Sequence, residues 1–238
     1  FYVFGTDGSI YQLLRSEKRF TPVADGSAST VAVASSQEDG AIYFLTSSDP
    51  GPAHVYTVDF TAGTVGQILE TNEAWVDLVA YANRVYLLRP ETDAQDGQIL
   101  RTQKTGSSFE EPSDWISQRT VNLENAVSIT IDGTVFVLSR NGEINRFSSG
   151  SEVGWTSGVV DPPMTVATSI WTDAESNFIY VLESETKRVV IFNKETGEFV
   201  VQYKSEAFTD LTSIVVDESN YSIYLLSGSK LYSIAASH

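Results

Sequence analysis

Two histidines, His54 and His238, and no cysteine make up the ordinary repertoire for general-base and thiol chemistry in this chain. Acid/base and nucleophilic catalysis at neutral pH leans on His, Cys or an activated Ser. A serine triad is therefore excluded in practice, and without cysteine there is no disulfide, no thiol nucleophile and no thiolate metal site. The redox compartment stays open. His54 falls on a rim loop at the start of a strand and reads as a surface residue rather than a base. No Gly-x-Ser-x-Gly elbow, phosphate loop or His-Glu-x-x-His motif occurs. Paired carboxylates could still serve a glycosidase, but the Ser-x-Asp-x-Gly-x-Thr-Trp turns of sialidase-like proteins are missing. Asn220-Tyr221-Ser222 matches a glycosylation sequon by pattern, in a tight turn, and reads as coincidence.

What the chain does hold is carboxylate: 31 Asp and Glu against 15 Lys and Arg, a formal net charge of -16. That field opposes phosphate contacts with nucleic acid and docking on an anionic membrane surface. There is also no apolar run approaching the roughly 18 residues of a membrane span. The run Glu91-Thr92-Asp93-Ala94-Gln95-Asp96-Gly97 offers three carboxylates and a glycine turn, the oxygen-rich supply that Ca2+ requires. It lacks the regular alternate ligands and distal Glu of the EF-hand, so a solvated acidic loop competes with Glu91, Asp93 and Asp96 as a metal site. A second polar set, Asp77, Glu124, Asn125 and Asp210, could hold an ion or a polar ligand. Trp75, beside Asp77, could stack a sugar ring or anchor a partner's side chain, or simply pack between elements. Trp115 and Trp155 are expected in outer strands as core, and Trp171 late in an inner strand, buried.

These residues are placed by a repeat. A short β-branched and aromatic motif occurs six times: Phe1-Tyr2-Val3-Phe4, Ile42-Tyr43-Phe44-Leu45, Val85-Tyr86-Leu87-Leu88, Val135-Phe136-Val137-Leu138, Ile179-Tyr180-Val181-Leu182 and Ile223-Tyr224-Leu225-Leu226. The aromatic residues at 2, 43, 86, 136, 180 and 224 lie 41, 43, 50, 44 and 44 apart. Turn residues precede the motifs, as in Asp39-Gly40, Ala82-Asn83 and Asp132-Gly133, so each reads as a buried strand entered through a tight turn. An apolar strand precedes each turn except the first, for example Val127 to Ile131. A half-polar third strand follows each motif, for example Arg188 to Asn193. A fourth strand is expected at Phe20 to Val23, Thr64 to Leu69, Asp114 to Arg119, Gly154 to Val159 and Phe199 to Tyr203. Four antiparallel strands every 44 residues or so, with no helical period, predict an all-β, six-bladed β-propeller as a single domain over residues 1–238. Six full blades would need about 264 residues, so the first and last blades are expected to be incomplete. The chain opens on a strand-like segment without Met, which reads as a piece excised from a longer protein, its end blades either three-stranded or completed by a closing segment missing here.

The stretch from Ile170 to Leu226 resembles NHL and YncE-like propeller repeats. The resemblance is carried by Ile179-Tyr180-Val181, Arg188-Val189-Val190-Ile191-Phe192, Thr196-Gly197-Glu198-Phe199-Val200 and Leu211-Thr212-Ser213-Ile214-Val215-Val216-Asp217. It covers about two blades and is faint elsewhere. It implies a binding platform, in some relatives the ectodomain of a membrane-anchored bacterial protein, although enzymes share the fold. In such a propeller the first strands line a central channel, and the loops after the second and fourth strands share one face. Two long loops, Thr46 to Ala53 and Pro90 to Gly97, would raise a rim there, stiffened by Pro50, Pro52 and Pro90 and made acidic by Asp49, Glu91, Asp93 and Asp96. The expected function is a non-catalytic binding domain presenting this acidic face to a protein or glycan, with Trp75, Asp77, Glu124, Asn125 and Asp210 at the channel mouth. The alternative is a metal-dependent hydrolase or lyase with its site at that mouth. Acidic, Ser/Thr-rich, cysteine-free composition points to an extracytoplasmic location.

Overall fold

The computed structural model describes residues 1–14, 16, 18–25, 29–36, 38–47, 52–117 and 121–236. Asp49, Pro50 and His238 lie outside the described residues. Among the described residues, all but one short 3-10 turn of the regular structure is β, arranged as six small antiparallel sheets that follow one another along the chain. This is the architecture of a six-bladed β-propeller. The chain divides into two compact units, Phe1–Arg89 with Ile99–Asp114, and Pro90–Gln98 with Trp115–His238.

In the first unit, the first sheet holds β1 (Tyr2–Phe4), β2 (Ser9–Leu14) and β3 (Arg19–Asp25). The second holds β4 (Thr30–Ser35), β5 (Ile42–Ser47), β6 (Ala53–Asp59) and β7 (Thr64–Thr71). The third holds β8 (Asp77–Tyr81), β9 (Arg84–Arg89), β10 (Gln98–Thr105) and two short strands, β11 (Ser108–Phe109) and β12 (Ser113–Asp114), both paired with β10. In the second unit, the fourth sheet holds β13 (Ala126–Ile131), β14 (Val135–Ser139), β15 (Ile144–Ser148) and β16 (Ser151–Val153). The fifth holds β17 (Ala167–Trp171), β18 (Phe178–Glu183), β19 (Arg188–Asn193) and β20 (Phe199–Lys204), and the last holds β21 (Leu211–Asp217), β22 (Ser222–Ser227) and β23 (Lys230–Ala235). The first and last sheets thus have three strands each, as expected from the length of the repeat.

The repeated motif is the second strand of each full blade, and its unbroken apolar character follows from burial on both faces. Phe44, Leu45, Leu87, Phe136, Val137, Tyr180 and Val181 are all buried. One face of each sheet packs on the next sheet in its unit: Leu182, Val189 and Ile191 meet Leu211, Ile214 and Leu225, while Phe136 and Leu138 meet Ile170, Ile179 and Val190. The innermost strands are bound by polar rungs instead. Thr130 Oγ1 donates to Thr172 O at 3.2 Å, and Ile170 N donates to Ser128 Oγ at 3.3 Å. At Ala82-Asn83 the two central turn residues have φ of 50° and 59°, the twist a two-residue hairpin between β8 and β9 demands.

Two fourth strands depart from expectation. At Asp114 to Arg119 there is no strand among the described residues beyond Asp114. The outer pairing falls instead on β11 and β12, interrupted around Pro112, which has no N–H to give the ladder. At Gly154 to Val159 the outer strand comes earlier, as β16, and the segment leaves the fourth sheet to run beside the fifth. There Gly158 N donates to Gly197 O at 2.7 Å. The crossing is a close backbone approach. A Cβ on Gly197, at φ +75°, would sit 2.0 Å from Thr156 O. We expect Gly197→Ala to cost about 1–3 kcal/mol through strain and overpacking, a fall of roughly 5 °C in Tm by calorimetry.

Candidate functional site

The predicted site residues are distributed over both units. Trp75 belongs to the first unit and is 4 % exposed, packed with Leu78 and Leu87, while its Nε1 donates to Glu73 Oε2 at 3.2 Å. It packs between sheets and offers no open ring face to a sugar. Asp77 opens β8 and its Oδ1 accepts from Leu78 N at 2.9 Å. In the second unit Glu124, Asn125 and Asp210 are exposed at the entries to β13 and β21. Their backbones are tied down: Arg140 N donates to Asn125 O at 2.8 Å, and Gly228 N to Asp210 O at 3.0 Å.

The Glu91 to Gly97 loop folds as a miniature hairpin, with Thr92 N donating to Gln95 O at 2.9 Å and Gln95 N to Thr92 O at 3.2 Å. Glu91, Asp93 and Asp96 are all exposed on it. Among the described residues no three His, Cys, Asp or Glu side chains are gathered so as to hold a metal ion. An ion binding only the folded chain would raise its midpoint. From this geometry we expect Tm to be the same in millimolar Ca2+ and in EGTA, within about 1 °C by differential scanning fluorimetry.

Tryptophans 115, 155 and 171 are half-buried. Trp115 lies just beyond β12, edge-on to Phe147, Trp155 follows β16 against Phe136, and Trp171 closes β17 against Tyr180. Trp155 does more than fill space, because its Nε1 donates to Lys194 O at 2.8 Å. It is the first of several anchors on the connection from Gly154 to Val166 that links β16 to β17.

The strongest anchor is a buried ion pair. Arg188 and Glu183 face each other across β18 and β19 and their side chains are 1 % and 0 % exposed. All three guanidinium nitrogens donate: Nε to Glu183 Oε2 at 2.6 Å, one terminal nitrogen to Gln202 Oε1 at 2.6 Å and the other to Pro162 O at 2.7 Å. Gln202 Nε2 in turn donates to Asp161 O at 3.0 Å. Glu183 also accepts from Thr165 N and Thr186 Oγ1, each at 2.7 Å. Burial pushes the Glu183 carboxyl up, but these hydrogen bonds and the guanidinium outweigh it and hold the group below the ordinary carboxylate range. The sequence shows Arg188 only as the first residue of a repeat strand. The signal for its role is the Asp161-Pro162-Pro163 run, whose prolines cannot pair into a sheet and must be held by carbonyl contacts.

Together the connection and the Asn141–Glu143 turn between β14 and β15 enclose an open depression of about 360 Å3. Asn141 and Glu143 supply its polar side, and Val159, Val160, Pro163 and Met164 its apolar side. The two walls are pressed together, since a Cβ on Gly142 would lie 2.6 Å from Met164 Cβ. Val160 is buried in the core between the fourth and fifth sheets, whereas its neighbour Val159 is 93 % exposed. Glu143 is the one ionisable group among the lining residues, and Ser157 adds a hydroxyl, so the depression is a mainly apolar surface with an acidic edge.

Fold and repeat together define a six-bladed β-propeller with incomplete end blades. No protein family and no curated protein matches the chain. Among solved structures, it is similar to a gluconolactonase from Xanthomonas campestris, at TM-score 0.71 and 12 % identity over 97 % of this chain and 79 % of that one. A protein of unknown function from Bacteroides caccae gives TM-score 0.66 at 12 % identity, covering 99 % and 89 % of the two chains. A chain from the nidogen/laminin complex gives 0.52 at 10 %, covering 87 % and 94 %. At such identities the likeness speaks for the propeller fold alone, which hosts enzymes and binding domains alike.

Proposed function

We propose that this propeller is a non-catalytic binding domain, displayed outside the cytoplasm, whose contact surface is the depression between Asn141–Glu143 and Ser157–Met164 and whose partner is a protein. The observation that carries the reading is Val159. A valine 93 % exposed on a segment pinned through Gly158, Asp161 and Pro162 is an apolar anchor already held in place. Preorganisation of that kind lowers the ordering cost of association. The partner segment is apolar and basic: apolar to cover Val159, Pro163 and Met164, basic to meet Glu143 on a chain of net charge -16. The acidic, cysteine-free composition supports the location. A metal-dependent hydrolase built on Asp77, Glu124, Asn125 and Asp210 is the alternative reading, and the Asp77→Asn and Asp210→Asn variants test it.

The test is selection of random displayed peptides on the purified protein. Enrichment of sequences joining an apolar residue to Lys or Arg, lost on Val159→Ser, is the expected result. Failure to enrich any such sequence, or enrichment indifferent to Val159→Ser, would overturn the reading.

A further inference from the structure

A second polar site lies in the first unit, inside the second sheet. Thr30 on β4 is paired with Thr46 on β5, Thr46 with His54 on β6, and His54 with Glu70 on β7. Directly paired residues project to the same face, so the four side chains form one row across the sheet. Phe44 and Tyr56, two positions along, share that face and stack at 5.3 Å, within an apolar seam that also takes in Ile10 and Phe4 of the first sheet. The row therefore caps the apolar contact between the two sheets, with Glu70 at its exposed end. It is also unsatisfied: Thr46 is 0 % exposed, and Thr30 Oγ1, Thr46 Oγ1 and His54 Nδ1 are all buried with no hydrogen-bond partner in the protein. His54 belongs to β6 with its side chain only 20 % exposed, which corrects its reading as a rim-loop surface residue.

Three adjacent orphaned polar atoms in one buried row are rare in folded proteins, and such groups are satisfied by an internal ligand when protein supplies none. We propose that Thr30, Thr46 and His54 form a binding site for internal water, bridging β4, β5 and β6. The spacing suits it. Paired side chains on neighbouring strands stand about 4.5–5.5 Å apart at Cβ, which keeps the three polar groups adjacent along the row. His54 Nδ1 lies 3.7 Å from Glu70 Oε2, too far for a direct hydrogen bond, so the carboxylate does not satisfy it. The chemistry selects a neutral guest able to donate and accept. Threonine hydroxyls and a neutral imidazole each adapt to either role. An anion would face Glu70, and a cation would find an imidazole where it needs oxygen ligands.

Thr46→Val tests the site because it keeps the side-chain shape and removes only the hydroxyl. If water is bound there, the change strands it and its remaining partners, and Tm falls by roughly 3–6 °C. If the row is dry, removing an unsatisfied hydroxyl leaves Tm unchanged or raises it, which overturns the proposal. Thr46→Ser, which keeps the hydroxyl, serves as the control and retains the bridging oxygen. A high-resolution crystal structure gives the independent readout: an ordered oxygen within 3.2 Å or so of both Thr46 Oγ1 and His54 Nδ1 or Thr30 Oγ1 is expected. A row without one contradicts the proposal.

Discussion

Replacing Arg188 by alanine is expected to lower Tm by about 10 °C at pH 7. Removing one partner of a buried pair leaves the other charge uncompensated, a loss of about 3–5 kcal/mol, and each kcal/mol moves Tm by about 2–4 °C in a chain of this size. Here the loss compounds, because the same guanidinium holds Pro162 O and Gln202 as well as Glu183. Replacing both members together, Arg188→Met with Glu183→Leu, should recover most of the stability of the sheets while leaving the Pro162 carbonyl unheld. Amide exchange in the segment 157–164 would then remain faster than in the parent protein even where Tm is restored. The pH dependence follows from the direction of the Glu183 shift. A carboxyl lowered on folding contributes stability that is fully present above its unfolded value and is lost as pH falls through the folded one. Asp39 acts in the same sense. Burial raises it, but Lys104, Ser36 and Ala41 N bring it down to about 2. Denaturant titrations of the parent between pH 5 and about 2 should therefore show falling stability, with a smaller fall in the double variant, which has lost the Glu183 share.

The second large effect concerns binding. Burying a valine is worth about 1.5–3 kcal/mol, and 1.4 kcal/mol is a factor of ten in affinity. Val159→Ser should weaken a selected peptide by about ten- to a hundred-fold. The fold should be untouched, since the side chain is 93 % exposed and the backbone anchors at Gly158, Asp161 and Pro162 do not involve it. Glu143→Gln removes charge at the rim of the depression and should act mainly on the association rate, flattening its dependence on salt. Surface plasmon resonance on the two variants separates these effects.

How much of this could be read from the sequence differs by feature. The motif strands of the full blades were legible because burial on both faces forces an unbroken apolar run, and the tight turns before them carry their own residue signature, as at Ala82-Asn83. The outer strands were less so. Their pairing is one-sided: around Pro112 the ladder on β10 breaks into two short pieces, and after Gly154 the chain leaves its sheet to run beside β20. The candidate site was harder still. Carboxylates at 91, 93 and 96 look alike in sequence whether clustered or splayed on a hairpin tip, and Trp75 reads the same exposed or buried. Val159 was invisible, because its neighbour Val160 enters the core and nothing in the pair says which one the backbone turns outward. Arg188 and Glu183 flank the turn of one hairpin, but nothing in the sequence says that both side chains turn to the buried face and hold the 157–164 segment.

The central claim is that function resides in the Val159 surface and not in the polar residues Asp77 and Asp210. It is tested most directly by calorimetric titration of one selected peptide into the parent protein and into the Val159→Ser, Asp77→Asn and Asp210→Asn variants. At least a tenfold loss of affinity is expected in Val159→Ser, with parental affinity in both Asp variants. Parental binding by Val159→Ser together with loss in either Asp variant would contradict it.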